Sequence, residues 1–161
     1  MLFRSDPERK KLAQTMRGAI DAFYEDTDKP VVIDKGRGWP IPIIMSAMSQ
    51  VLGRKPKVIA TVRSVPDCMA SFVRVAKPED LDTFMATGQL ADHLKAAYIS
   101  LQEGWMYDPE CFLMVEYEDL LADPKAQLDR IHAFLELPPF DYDLSNIDGT
   151  SVKEEIGRAH V

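Results

Sequence analysis

The chain is short of the residues that most often announce a site. It holds two cysteines and three histidines among 161 residues. Cys68 and Cys111 belong to no Cys-x-x-Cys or Cys/His cluster, which argues against a zinc site, and no metal is expected. They read as two buried free thiols, the usual state in a reducing, cytoplasmic compartment. No apolar run approaches the ~18 residues of a membrane span, and the charged, amphipathic start is unlike a signal peptide, so no membrane is expected as a partner. Positive charge is scarce as well. Nineteen Lys and Arg face 26 Asp and Glu, for a net charge of −7. Nucleic acid is therefore not expected as a partner, because phosphate backbones attract clustered cations. A small anion can still bind where a few cations converge. Before Lys35 the only glycine is Gly18, inside a helical pattern. That stretch has no glycine loop of the kind that cradles a phosphate.

What is present is ordinary globular composition, 46% hydrophobic and 28% charged, at a length that suits one domain. The two ends read differently from the rest. Leu2-Phe3-Arg4-Ser5 is what the DNA string CTCTTCCGATCT encodes, and Ile156-Gly157-Arg158-Ala159-His160-Val161 is what ATCGGAAGAGCACACGTC encodes. Both strings are common sequencing adapters. The expectation is that residues 1–5 and 156–161 are adapter scars and that the natural sequence lies between them.

Between the ends, helical and strand patterns alternate. Asp6 to about Asp26 is helical, with Leu12, Met16, Ala19, Ile20 and Phe23 on one face. Val31-Val32-Ile33 is a short β-branched run that predicts a buried parallel strand. It leads into the loop Asp34-Lys35-Gly36-Arg37-Gly38-Trp39-Pro40. Ile41 to Leu52 reads as a helix closed by Gly53. Lys57 to Val62 is the clearest strand, and Arg63 stands at its end. Pro66 to about Val75 reads as a helix. A second helical region runs from about Glu79 to Trp105, with Leu90, Leu94, Ala97, Tyr98 and Leu101 on one face and Gly88 as a candidate break. Phe112 to Tyr117 is a third strand. Asp123-Pro124 caps a helix that Pro138-Pro139 stops. This alternation predicts an α/β fold, a parallel sheet flanked by helices.

Ligands of open parallel sheets bind beyond the C-terminal ends of the strands. Two of the three predicted strands end in cations, Lys35 with Arg37 and Arg63, which points to an anionic ligand. Arg63 sits at a strand end and Ser71 lies eight residues later, nearly two turns into the next helix. Arg63 can fork onto a phosphate with two hydrogen bonds, and Ser71 can add a third. The plainer alternative is that Arg63 pairs with Asp67 and Ser71 only faces a neighbouring helix. For Lys35 and Arg37 the alternative is a solvated loop. Trp39 lines an acceptor cleft or packs in the core. His93 and His132 fall inside predicted helices, with no partner at triad or metal spacing, and read as helix-face residues.

The segment Val62-Arg63-Ser64-Val65-Pro66-Asp67-Cys68-Met69-Ala70-Ser71-Phe72 resembles the 3′-phosphate-binding segment of sulfotransferases that use 3′-phosphoadenosine 5′-phosphosulfate (PAPS). A second stretch, Val115-Glu116-Tyr117-Glu118-Asp119-Leu120-Leu121-Ala122-Asp123-Pro124 continuing to Phe134-Leu135-Glu136-Leu137-Pro138, is similar to that family's strand, turn and packed helix. Glu136 stands where the family usually has Gly. The resemblance covers roughly Val31 to Phe140. It implies a P-loop NTPase-like sulfotransferase fold, here a single incomplete domain that lacks the family's N-terminal phosphosulfate loop and its C-terminal glycine-rich loop.

The resemblance also assigns roles. Arg63 and Ser71 become ligands of the nucleotide 3′-phosphate, and PAPS becomes the co-substrate. Lys35 falls near a family lysine that stabilises charge on the bridging oxygen as the sulfuryl group leaves. Cytosolic members place a histidine base two residues later. Here that residue is Arg37, which stays protonated and is a poor base. Some members use a carboxylate instead, which makes Asp34 a weak candidate. The implied acceptor is the hydroxyl or amine of a small molecule, carbohydrate or protein. Two other readings stay open: a fragment of a P-loop nucleotide kinase, and a non-catalytic binding module on a sulfotransferase-like scaffold. This chain alone is expected to show no turnover.

Overall fold

The computed structural model describes residues 6–28, 31–86 and 89–145. The two expected scars and the expected break at Gly88 lie outside the described residues. The chain divides into two compact units, Met1–Val115 and Glu116–Val161.

In the first unit, α1 (Asp6–Phe23) packs against α2 (Pro42–Leu52). Gly53 closes α2 in the left-handed conformation, with φ 68°. The Arg17 Nη1 donates to the carbonyl of Leu52 at 2.7 Å. A cation at a helix C-terminus also meets the negative end of the helix dipole. The apolar stripe of α1 is only partly covered, and Phe23 stays 80% exposed with its ring edge-on to Tyr24.

β1 (Val58–Val62) and β2 (Phe112–Glu116) form a two-stranded parallel sheet. The crossover between them is helical, as a parallel pair requires. It consists of α3 (Val65–Ala76), α4 (Leu81–Ala86) and α5 (Gln89–Tyr107), followed by a 3₁₀ turn at Pro109–Cys111. Met45 of α2, Cys111 and Phe112 make the buried core, with Val58, Leu101 and Met114 packed around it.

One expected strand is absent. Val31-Val32-Ile33 forms no ladder, and Val32 and Ile33 are 47% and 77% exposed. A strand needs a hydrogen-bonding neighbour to satisfy its backbone groups. Among the described residues β1 and β2 pair only with each other. The apolar β-branched pattern is therefore met by solvent here. The architecture shown is a small parallel sheet flanked by helices.

In the second unit, α6 (Tyr117–Ala122) replaces the short turn expected after β2, and it packs on α7 (Pro124–Leu135). The expected cap is present: the Asp123 carboxylate accepts from the Ala126 N–H at 2.9 Å. At the other end of α7, Glu136 adopts φ 60°. Its N–H reaches the Ala133 carbonyl at 3.1 Å, and the Leu137 N–H reaches that of His132 at 2.9 Å. These are the two bonds of a Schellman stop, a position that favours glycine. His132, read as a helix-face residue, ties down the segment beyond this stop. Its Nδ1 lies 2.6 Å from the Pro138 carbonyl and its Nε2 2.6 Å from the Tyr142 hydroxyl. A carbonyl only accepts, so Nδ1 carries the proton, and in the neutral ring Nε2 accepts from Tyr142.

Candidate functional site

Arg63 follows directly on β1, with its side chain exposed at the C-terminal end of the strand. Ser64 is the N-cap of α3, and its hydroxyl accepts from the Asp67 N–H at 3.3 Å. The same hydroxyl donates to the Asp67 carboxylate. This Ser-x-x-Asp exchange fixes where the strand becomes a helix. Sequence reading missed the role of Ser64, although the spacing is itself a capping signal.

The cap decides what this junction can offer an anion. A bare helix N-terminus presents several unpaired N–H groups to a phosphate. Here Pro66 has no N–H, the Asp67 N–H is taken by Ser64, and the Cys68 N–H is bonded to the Ser64 carbonyl at 3.0 Å. Asp67 also puts a carboxylate in the first turn. The side chains at the junction that can donate to an anion are the Arg63 guanidinium and, on α3, the Ser71 hydroxyl.

Ser71 lies on α3, half-buried. It follows Ser64 and Cys68 at the spacing that places all three on one helix face, roughly 10 Å from Ser64 along the axis. Arg63 and Ser71 thus belong to one strand–helix unit.

Lys35 belongs to a different segment, the loop before α2, and is exposed there together with Arg37. The loop is closed by Trp39, whose Nε1 donates to the Asp34 Oδ2 at 2.6 Å. Trp39 is half-buried, so it is neither a fully buried core residue nor a free wall. Its indole lies across Gly36, where an added Cβ would come within 3.0 Å of Nε1. The loop is also held from α5. The Ser100 hydroxyl sits 3.4 Å from the Arg37 carbonyl, and a Cβ on Gly104 would approach the Pro40 carbonyl oxygen to 2.2 Å. No local signal marks Ser100 or Gly104, because their partners lie about sixty residues away in sequence. α5 also packs against α3. One helix therefore supports both the segment with Lys35 and the segment with Ser71.

Away from these segments, Lys55 bridges Asp108 at 2.8 Å and Glu110 at 3.2 Å. The hydrogen bond from Lys55 holds the Asp108 carboxyl below its ordinary range, and the same contacts push the Lys55 ammonium up. Burial, then the Asp108 carboxylate, raise the Cys111 thiol. Both cysteines are free, Cys111 buried and Cys68 half-buried. A shallow apolar depression of about 220 Å³ lies between Tyr98, Leu101, Gln102, Trp105 and Met114. Its α5 residues share a face turned away from Ser100 and Gly104. No described helix is long and apolar enough to cross a membrane.

No curated protein and no solved structure matches this chain. A family model described as the sulfotransferase family matches residues 48–142. The match takes in β1, Arg63, the capped start of α3, Ser71 and both elements of the second unit, and it begins after the loop that carries Lys35. With more than half of its length matched, the chain belongs to the sulfotransferase family.

Proposed function

We propose that this chain carries the nucleotide 3′-phosphate site of a PAPS-dependent sulfotransferase, with Arg63 and Ser71 as its ligands. The observation that supports the reading best is the capped β1–α3 junction. It sets a guanidinium at the strand end and a hydroxyl on the following helix, while the Asp67 and Cys68 N–H groups are bonded to Ser64 and Pro66 has none to offer. A guanidinium grips a dianionic phosphate through two parallel hydrogen bonds, and a hydroxyl supplies a further donor. This donor set fits a terminal phosphate monoester.

PAPS, when bound, supplies the sulfuryl group that moves to the acceptor. The chain's own residues hold and orient. Arg63 and Ser71 anchor the 3′-phosphate. Lys35 presents its ammonium to the oxygen on which charge develops, so catalysis rests on positioning and charge stabilisation. Arg37 remains a cation and takes no proton. Asp34 is engaged by the Trp39 indole, which argues against it as the general base. The acceptor is a hydroxyl or amine on a small molecule, carbohydrate or protein.

Ligand-induced stabilisation tests the reading, since a ligand that binds only the folded state raises the melting temperature. 3′-Phosphoadenosine 5′-phosphate (PAP) is expected to raise it more than ADP or ATP at equal concentration. A larger effect of ATP would favour the nucleotide-kinase reading. No effect of any nucleotide would favour a binding module.

A further inference from the structure

The loop that bears Lys35 is built rather than merely exposed. Asp34 and Trp39 stand at its two ends, and the 2.6 Å indole–carboxylate bond closes it. The acceptor is a carboxylate oxygen, a strong type of hydrogen-bond partner for an N–H donor. Gly36 is the position where the backbone passes beneath the ring: an added Cβ would stand 3.0 Å from the indole Nε1, and the ring would have to give by a few tenths of an ångström to admit it. Beyond the clamp the exit is fixed as well. The Ile41 N–H bonds to the Gly38 carbonyl at 3.1 Å, Pro40 is buried, and its carbonyl lies against Gly104 of α5. Lys35 therefore projects from a short segment held at both ends. A lysine has a long, flexible stem, and ordering it costs affinity unless its backbone is already fixed.

We infer that Asp34 and Trp39 are positioning residues for Lys35: their bond holds the loop so that the Lys35 ammonium meets the 5′-phosphate end of the nucleotide. The inference rests on the proposed nucleotide site. It adds a role for two residues that lie outside the 48–142 family match. It also gives Asp34 a task other than proton transfer.

The test compares two nucleotides by calorimetric titration of the same chain. PAP carries both phosphates, and adenosine 3′-phosphate lacks the 5′-phosphate that Lys35 would meet. Lys35→Ala is expected to weaken PAP by roughly tenfold or more, the scale of a hydrogen bond to a charged group, and to leave adenosine 3′-phosphate unchanged. Trp39→Phe keeps the ring and removes the donor. Asp34→Ala removes the acceptor at an exposed position. Both are expected to weaken PAP by roughly three- to tenfold, with no effect on adenosine 3′-phosphate. Asp34→Asn retains an oxygen that accepts from the indole and is expected to recover most of the PAP affinity. If Trp39→Phe and Asp34→Ala bind PAP like the wild type, the positioning role is wrong. Equal weakening of both nucleotides would also overturn it, because that pattern marks a general structural role. A wild-type chain that binds neither nucleotide would sink the site reading itself and this inference with it.

Discussion

Gly104→Ala is expected to destabilise the protein, although alanine is the better helix former. In the interior of α5, replacing glycine by alanine gains about 1 kcal/mol of helix propensity. The added methyl would sit 2.2 Å from the Pro40 carbonyl oxygen and 2.8 Å from Phe112 Cζ. The nearer atom is backbone, and it belongs to the fixed exit of the Lys35 loop, so it cannot swing aside. Overpacking of this kind costs about 2–3 kcal/mol. The net loss is about 1–2 kcal/mol, or a fall in Tm of roughly 2–8 °C for a chain of this length. Gly18 provides the internal control. It is also helical, but nothing lies within 4 Å of its added Cβ. Gly18→Ala should keep the whole propensity gain and raise Tm by roughly 2–4 °C. Far-UV circular dichroism melts of the three proteins measure both effects. A Gly104→Ala protein as stable as Gly18→Ala would refute the close approach of α5 to Pro40.

Other outcomes follow from the caps and the ion pairs. Glu136→Gly should stabilise by about 1 kcal/mol, since glycine removes the cost of a left-handed residue at the Schellman stop; urea midpoints at equal slope would show it. Ser64→Ala and Asp123→Ala should each cost about 1 kcal/mol in the same assay, because each leaves an N–H at a helix start without its cap. Lys55→Met should separate from the wild type in a pH-dependent way. The Asp108 carboxyl is depressed by its bond from Lys55. That stability is therefore full above the ordinary carboxylate pKa of about 3.9, and it is lost as pH falls through the lower folded value. The Tm gap between the two proteins should be constant from pH 7 to about 5 and close below about 4. A gap that widens in acid would contradict the assignment.

Much of the first unit and nearly all of α7 were legible in the sequence, for local reasons. β1 and β2 are β-branched or apolar runs that end in charge, α2 is closed by Gly53, and α7 opens on Asp123-Pro124 and stops before a proline pair. Each signal acts within a few residues. Glu136 shows a limit of the same logic: the family's glycine marks a left-handed position, and this chain keeps the conformation without the residue that favours it. Val31-Val32-Ile33 failed because a strand is a relation between segments, and its pattern says nothing about whether a neighbour is present. Arg63 and Ser71 could be placed from spacing, since one strand end and one helix carry both. Trp39 over Gly36, Ser100 on Arg37 and Gly104 against Pro40 could not. The last two join segments far apart in sequence, and the first depends on a loop geometry that no periodicity encodes.

The central claim is that Arg63 and Ser71 hold a nucleotide 3′-phosphate. Titrating PAP and adenosine 5′-phosphate into the wild type, Arg63→Ala and Ser71→Ala tests it most directly, because the two nucleotides differ only in that phosphate. The account predicts that the wild type prefers PAP, that Arg63→Ala loses roughly ten- to a hundredfold of PAP affinity with little change for adenosine 5′-phosphate, and that Ser71→Ala loses a smaller share of the same preference. Equal affinity of the wild type for both nucleotides, or a preference for PAP that survives Arg63→Ala, would contradict it.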